Sequence, residues 1–206
     1  MERPANGIGP ETILASQTGN GLYPSGVSRD DRWLAFTESS PVHSIIMLRS
    51  REDANKIVRV QDRETERDPS ISPDGRWLLY SSTPATRREV LVQSMPKEAG
   101  GSASAVGKWQ ISTAGGSQPA WRADGKEIFF VAPDGQLMAV PIESGENFFR
   151  PGTAKPLFQT RLESDPNTRQ YDVTPDGQRF LLNQRLPDNA DAPITVVVNW
   201  PKLLQK

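Results

Sequence analysis

Three observations predict an all-β chain built from radially stacked sheets, a β-propeller. One short motif recurs four times, a tight turn centred on Asp lies in every copy, and three consecutive apolar residues follow each turn. The copies are Val27–Phe36, Ile71–Tyr80, Trp121–Phe130 and Val173–Leu182, anchored on Asp30, Asp74, Asp124 and Asp176. Those anchors are spaced 44, 50 and 52 residues apart, a period that suits one propeller blade each.

The turn comes first in the argument because it fixes the register of everything around it. Asp74-Gly75, Asp124-Gly125 and Asp176-Gly177 each lie between apolar runs, so each is expected to join two antiparallel strands. Glycine accepts a positive φ and the aspartate side chain can bond the turn backbone. In the first copy Asp30 is followed by Asp31, which tolerates the left-handed region less well than glycine but better than most residues. All of these residues are read as turn-forming.

The apolar runs after the turns are Leu34 to Phe36, Leu78 to Tyr80, Ile128 to Phe130 and Phe180 to Leu182. A strand with one wet face alternates, so an unbroken run requires cover on both faces. Neighbouring blades supply it. Third strands are expected at Ser44–Leu48, Glu89–Gln93, Gln136–Ile142 and Ile194–Asn199, and fourth strands at Lys56–Val60, Lys108–Thr113 and Lys155–Thr160. A spare strand at Glu11–Ala15 is expected to complete a neighbouring or the last blade, which brings the count to four blades of four strands. Residues 1–206 then form one propeller segment with repeats at about 16–60, 61–113, 114–160 and 161–206. An open arc, or a fragment of a propeller of six or more blades, is preferred to a closed four-bladed ring, because four blades require about 90° of turn each. A closed ring would bring Glu11–Ala15 within about 5 Å of Ile194–Asn199.

The segment Asp68-Pro-Ser-Ile-Ser-Pro-Asp-Gly-Arg-Trp-Leu-Leu-Tyr80 resembles the WD-like repeat of TolB-type β-propellers, and the likeness extends over essentially the whole chain. The tail, Tyr171 to Asn183 followed by Ala192 to Trp200, is similar to the C-terminal blades found behind bacterial membrane Ser/Thr kinases or winged-helix regulators. The resemblance implies a non-catalytic binding or scaffold module for a protein or peptide partner. It also implies two alternatives: the sensor end of a kinase or transcriptional regulator, and a propeller accessory of a prolyl-oligopeptidase-type peptidase. An extracytoplasmic or periplasmic location is implied by the family, and Met1 is read as an internal or misassigned start. Arg122-Ala123 stands before the third turn where the motif has Ser-Pro.

Composition narrows the function classes. Lys plus Arg number 24 and Asp plus Glu 25, so no basic excess favours nucleic acid or anionic lipid. No 18-residue apolar window exists to insert in a membrane, and no N-terminal apolar stretch acts as a signal peptide. Cysteine is absent, which excludes disulfides and thiol catalysis. His43 is the single histidine and is read as a loop residue, with no Gly-x-Ser-x-Gly elbow to partner it. No cofactor, metal or catalytic constellation is expected. Asp62, Glu64, Glu66 and Asp68 alternate, but Arg63 and Arg67 are interleaved, and the stretch is read as a solvated mixed-charge loop.

Propellers gather ligands where their innermost strands converge. The loops expected to lead into those strands are Leu22–Ser25, Glu66–Pro69, Ser117–Ala120 and Thr168–Tyr171. Arg67, Asp68, Gln118, Arg169 and Tyr171 are their polar or aromatic members and form the predicted binding set. Trp33 and Trp77 are expected to pack as blade plates at an edge position, because Glu127 and Arg179 fill the same column elsewhere, and Trp200 to anchor the tail.

Overall fold

A computed structural model describes residues 2, 9–16, 18–53, 55–60, 65–83, 87–96, 107–162 and 169–183. Fifteen strands occur among them, all antiparallel, with no helix. The first blade runs β1 (Gly21–Val27), β2 (Trp33–Ser39), β3 (Ser44–Ser50) and β4 (Ile57–Val60) in sequential order. The second repeats the meander with β5 (Thr65–Ile71), β6 (Trp77–Thr83), β7 (Glu89–Ser94) and β8 (Lys108–Gln110). The third contains β9 (Ser117–Trp121), β10 (Glu127–Val131), β11 (Gln136–Ser144), β12 (Phe149–Pro151) and β13 (Lys155–Gln159). The hairpin β14 (Tyr171–Val173) and β15 (Phe180–Leu182) begins the fourth.

Three of the four motif aspartates build their turns in the same way. Ser72 Oγ donates to Asp74 Oδ1 at 2.6 Å, Asp74 Oδ1 accepts the Arg76 N–H at 3.0 Å, and Ser72 Oγ accepts the Trp77 N–H at 2.9 Å. Ser28 with Asp30 and Thr174 with Asp176 reproduce this arrangement. In the third blade Arg122 replaces the hydroxyl, clamping Asp124 with two nitrogens at 2.8 and 2.9 Å and reaching Glu127 at 2.8 Å. The residue after each aspartate takes the left-handed conformation: Gly75, Gly125 and Gly177 at φ 72–74°, and Asp31 at 59°. Asp31 therefore carries strain that the three glycines avoid.

The period-2 alternation of β6 explains why its apolar run is unbroken. Leu78 and Tyr80 face the first blade, packing with Trp33, Ile46, Leu48 and Val60. Trp77 and Leu79 face the third blade, with Trp121, Ile128, Phe130 and Val140. In β10 the same alternation sends Ile128 and Phe130 back to the second blade and Phe129 and Val131 on to the fourth, against Tyr171, Val173 and Phe180. Each full burial of such a side chain contributes roughly 1.5–3 kcal/mol, so the blade faces are the principal source of stability. Trp33 and Trp77, each 5% exposed, lie in these interblade layers.

The structure corrects several sequence expectations. Glu11–Ala15 forms no strand; Thr12 makes one isolated bridge, to Glu2, and Pro10 beside it has no N–H to extend a ladder. The strand expected over Lys108–Thr113 stops at Gln110, because Ser112 turns its hydroxyl to the Val90 N–H and to Glu89 in place of further ladder bonds. Strand β12 has no counterpart in the repeat pattern. It pairs with Ile142–Ser144 of β11, while β13 pairs with Gln136–Ala139, so the nine-residue β11 carries two partners along its outer side. The reason is Phe149, whose ring packs at 5.0 Å from Trp77 and 5.1 Å from Trp109 in the layer between blades. Glu66 is fully buried in β5 and no solvated loop residue, whereas Asp62 and Glu64 lie outside the described residues. Ile194–Asn199 and Trp200 also lie outside them, so the closure distance is not defined. Among the described residues no strand of the first blade pairs with one of the fourth, as in an open arc.

Candidate binding site at the blade axis

The innermost strands β1, β5, β9 and β14 carry the same motif column. Six residues before each anchoring aspartate stand Pro24, Asp68, Gln118 and Gln170, followed by Ser25, Pro69, Pro119 and Tyr171. The sequence pattern assigns these positions to loops leading into the strands, yet Leu22–Ser25, Glu66–Pro69 and Ser117–Ala120 lie within β1, β5 and β9; Thr168 lies outside the described residues and Tyr171 opens β14. The chain kinks without leaving the sheet because each long inner strand is bulged there. Registers shift between Pro24 and Gly26, between Arg67 and Ser70, and on β10 between Phe129 and Val131 opposite β9. Asp68 and Gln118 sit at the kinks with φ of 55° and 54°, and the prolines that follow need no ladder hydrogen.

These kinks surround a cavity of about 500 Å³. Its wall combines Pro24 and Ser25 of the first blade, Arg67 to Ser70 of the second, Pro119 of the third, and Arg169, Tyr171 and Asp172 of the fourth. Tyr23 and the hydroxyl side chains Thr37, Ser39 and Ser44 complete the side formed by the first blade. Four of the five residues in the predicted binding set, Arg67, Asp68, Arg169 and Tyr171, therefore share one wall. Gln118 does not reach it. It is fully buried, and its Oε1 accepts the Gln170 N–H at 2.6 Å, joining the third blade to the fourth.

Asp68 is partly accessible, and it meets the cavity. Burial beneath that surface raises its carboxyl pKa, opposed by a 3.0 Å hydrogen bond from Ser81 Oγ and by the charges of Arg88, Arg67 and Arg169. Tyr171 is 4% exposed, and its hydroxyl has no hydrogen-bond partner among the described residues. Burial pushes the phenol upward, Arg169 opposes the shift, and Asp68 and Asp172 reinforce it, so the group stays a protonated donor. Arg169 is held by its own strand, Nε donating to the Tyr171 carbonyl at 3.1 Å, with Nη2 3.7 Å from Asp172 Oδ1.

Chemically, the wall sets donors beside acceptors: the arginines offer planar donors, and Asp68 and Asp172 acceptors. Among the described residues no group of three or more His, Cys, Asp or Glu side chains is placed to hold a metal ion, and His43 is an exposed residue ahead of β3. The predicted set lacks Tyr23, which lies in the Leu22–Ser25 segment named from sequence, and also Thr37, Ser39, Ser44 and Asp172. Of these, Asp172 was legible as the next residue along the same motif column, whereas Thr37, Ser39 and Ser44 lie on β2 and β3, outside any motif.

No family model and no curated protein matches the sequence. Solved structures do match in fold. TolB from Acinetobacter baumannii superposes with a TM-score of 0.64 at 16% identity, covering 90% of this chain and 43% of that one. A protein described as a TolB from Agrobacterium tumefaciens gives 0.54 at 16% identity, covering 82% and 61%. A protein described as a 6-phosphogluconolactonase from Bacteroides uniformis gives 0.54 at 14% identity, covering 81% and 48%. The fold is that of a TolB-type β-propeller, and this chain spans between two-fifths and two-thirds of the length of these structures.

Proposed function

We propose that this chain, a set of TolB-type propeller blades, is a non-catalytic binding module that receives a ligand or the end of a peptide or protein partner at the blade axis. The observation that carries the reading is the cavity itself. Residues from the inner strands of all four blades meet there, and the pairs Arg67 with Asp68 and Arg169 with Tyr171 come together from the second and fourth blades. Its volume is in the range of small-molecule and peptide-terminus sites.

The fold likeness to a lactonase brings no residue with it, and among the described lining residues no serine, threonine or tyrosine hydroxyl is hydrogen-bonded to a carboxylate or histidine. The test is a thermal-shift screen of small molecules and short peptides against the native chain and against Ser25→Trp. Ser25 is exposed on the cavity wall, so a tryptophan there fills the space without disturbing the core. Compounds that stabilise the native chain are expected to lose their effect on the variant. Hits indifferent to Ser25→Trp, or turnover of a lactone abolished by one polar substitution in the wall, would overturn the proposal.

A further inference from the structure

Resting on the reading of the cavity as a binding site, we infer that its occupant carries both an ammonium and a carboxylate, as a free amino acid or short unblocked peptide does. The formal charges of the described wall cancel: Arg67 and Arg169 stand against Asp68 and Asp172. A ligand of one sign would enter a neutral, partly desolvated space and leave its own charge unbalanced, at a substantial desolvation penalty. A ligand bearing both signs is matched group for group.

The geometry gives each end a place. Arg169 is fixed by its Nε bond to the Tyr171 carbonyl, and its Nη2 makes only a long 3.7 Å approach to the exposed Asp172 carboxylate, an ion pair a ligand carboxylate can share. The guanidinium of Arg169 lines the cavity and supplies the carboxylate site. Asp68 comes from the second blade and lines the same cavity as Arg169, offering a carboxylate to the ammonium. Ser81 holds one of its oxygens at 3.0 Å, so the carboxylate is oriented before an ammonium arrives.

The experiment is calorimetric titration of the full chain with L-alanyl-L-alanine, its N-acetyl derivative and its C-terminal amide. The unblocked dipeptide is expected to bind, and each blocked form to bind at least 10-fold more weakly. Arg169→Gln should abolish the preference for acid over amide while keeping the preference for the free amine; Asp68→Asn should do the reverse. Comparison of the three dipeptides needs no variant, so misfolding of either substitution leaves the conclusion decidable. Equal binding of blocked and unblocked forms, displaced by Ser25→Trp, would overturn the charge assignment and leave the binding site standing. No binding of any of the three also overturns it, and the wider screen against Ser25→Trp then decides whether the site falls too.

Discussion

Gln118 and Gln170 occupy the same column of successive repeats, and the side-chain oxygen of the first accepts the backbone N–H of the second at 2.6 Å. The bond is internal to the interblade joint, because Gln118 has no exposed surface. It explains why a residue other than glycine or asparagine is kept at φ 54°: the kink aims the amide across the blade boundary. Removing it leaves a backbone donor without its acceptor, at about 1–3 kcal/mol. Gln118→Ala is therefore expected to lower stability by about 2 kcal/mol in urea unfolding followed by tryptophan fluorescence. Gln118→Gly, which loses the same bond but relaxes the left-handed backbone, should be about 1 kcal/mol more stable than the alanine variant. Equal losses in the two variants would show that the kink carries no strain.

The motif glycines share a conformation and differ in surroundings, which separates backbone strain from crowding. A Cβ on Gly75 would meet only Asp30 Oδ2 at 3.8 Å, whereas one on Gly177 would lie 2.6 Å from Arg122 Cδ and 3.4 Å from Phe129. Arg122 cannot withdraw freely, being clamped to Asp124 and Glu127. Gly75→Ala is expected to cost about 1 kcal/mol from its positive φ, and Gly177→Ala about 1–2 kcal/mol more, read as a difference in urea midpoints. Conversely Asp31→Gly relieves strain but loses the 2.7 Å ion pair to Arg51, whose carboxylate partner is largely exposed, so its net effect should fall within about 0.5 kcal/mol of zero.

How far these relationships were legible in the sequence depends on their range. The hairpin turns were readable because all their determinants, from Ser72 through Gly75 to Trp77, lie within six residues. The two-sided burial of β6 and β10 was readable because three apolar residues in succession place apolar side chains on both faces of a strand. Long-range facts were not. Nothing local marks Asp68 or Gln118 as left-handed; the kinks arise where inner strands crowd the axis and the ladder slips a residue. In sequence Phe149 is one of two adjacent aromatics in a connecting segment, and only the gap beside Trp77 and Trp109 makes its short strand necessary. At the cavity, the motif column pointed to Arg67, Asp68, Arg169 and Tyr171, but the hydroxyls from β2 and β3 enter through the curvature of the first blade.

Phe149 supplies a direct check of that packing argument. It is 4% exposed and touches three tryptophans from two blades, Trp77, Trp109 and Trp121. Truncation to alanine opens a cavity whose rigid aromatic walls collapse poorly, so Phe149→Ala should cost about 3–5 kcal/mol, with Phe149→Leu retaining at least half of that. Chemical denaturation with fluorescence detection reads both the stability and the loss of the tryptophan environment. A cost under about 1 kcal/mol would mean that β12 is incidental to the interblade layer.

Tyr171 combines a packing ring with a hydroxyl that finds no partner among the described residues, and the two parts should separate on mutation. Its ring lies 6.3 Å from that of Phe180 in the layer between the third and fourth blades. Tyr171→Phe keeps the ring and removes a buried donor that bonds nothing among the described residues. The variant is expected to be as stable as the native chain or up to about 1 kcal/mol more so, because a desolvation penalty disappears. Tyr171→Ala should cost about 3 kcal/mol or more. Destabilisation of the phenylalanine variant by over about 1 kcal/mol would show that the hydroxyl is bonded within the protein.

Stability should fall on the acid side, and the signs of the individual aspartates say why. The Ser28 hydroxyl holds the Asp30 carboxyl below the ordinary range, Arg122 does so for Asp124, and Thr174 for Asp176; at Asp74 burial pushes upward but Ser72 and Arg76 outweigh it. A carboxyl with a depressed folded-state pKa contributes stability that is complete above its unfolded value, near 3.9, and is lost as pH falls towards the folded one. Asp68 has the opposite sign: its raised folded value means a penalty absent at low pH that develops as pH rises through the window between the unfolded and folded values. With four turn aspartates against one, urea midpoints should be flat near neutrality and drop below about pH 4. Ser72→Ala, which removes a donor to Asp74, should shallow that acid limb. Asp68→Asn should stabilise the chain at pH 7 relative to the native protein, with the gain vanishing well below pH 4, because at that pH the native Asp68 is protonated in both folded and unfolded states. A gain that persists undiminished in acid would trace the effect to packing and not to charge.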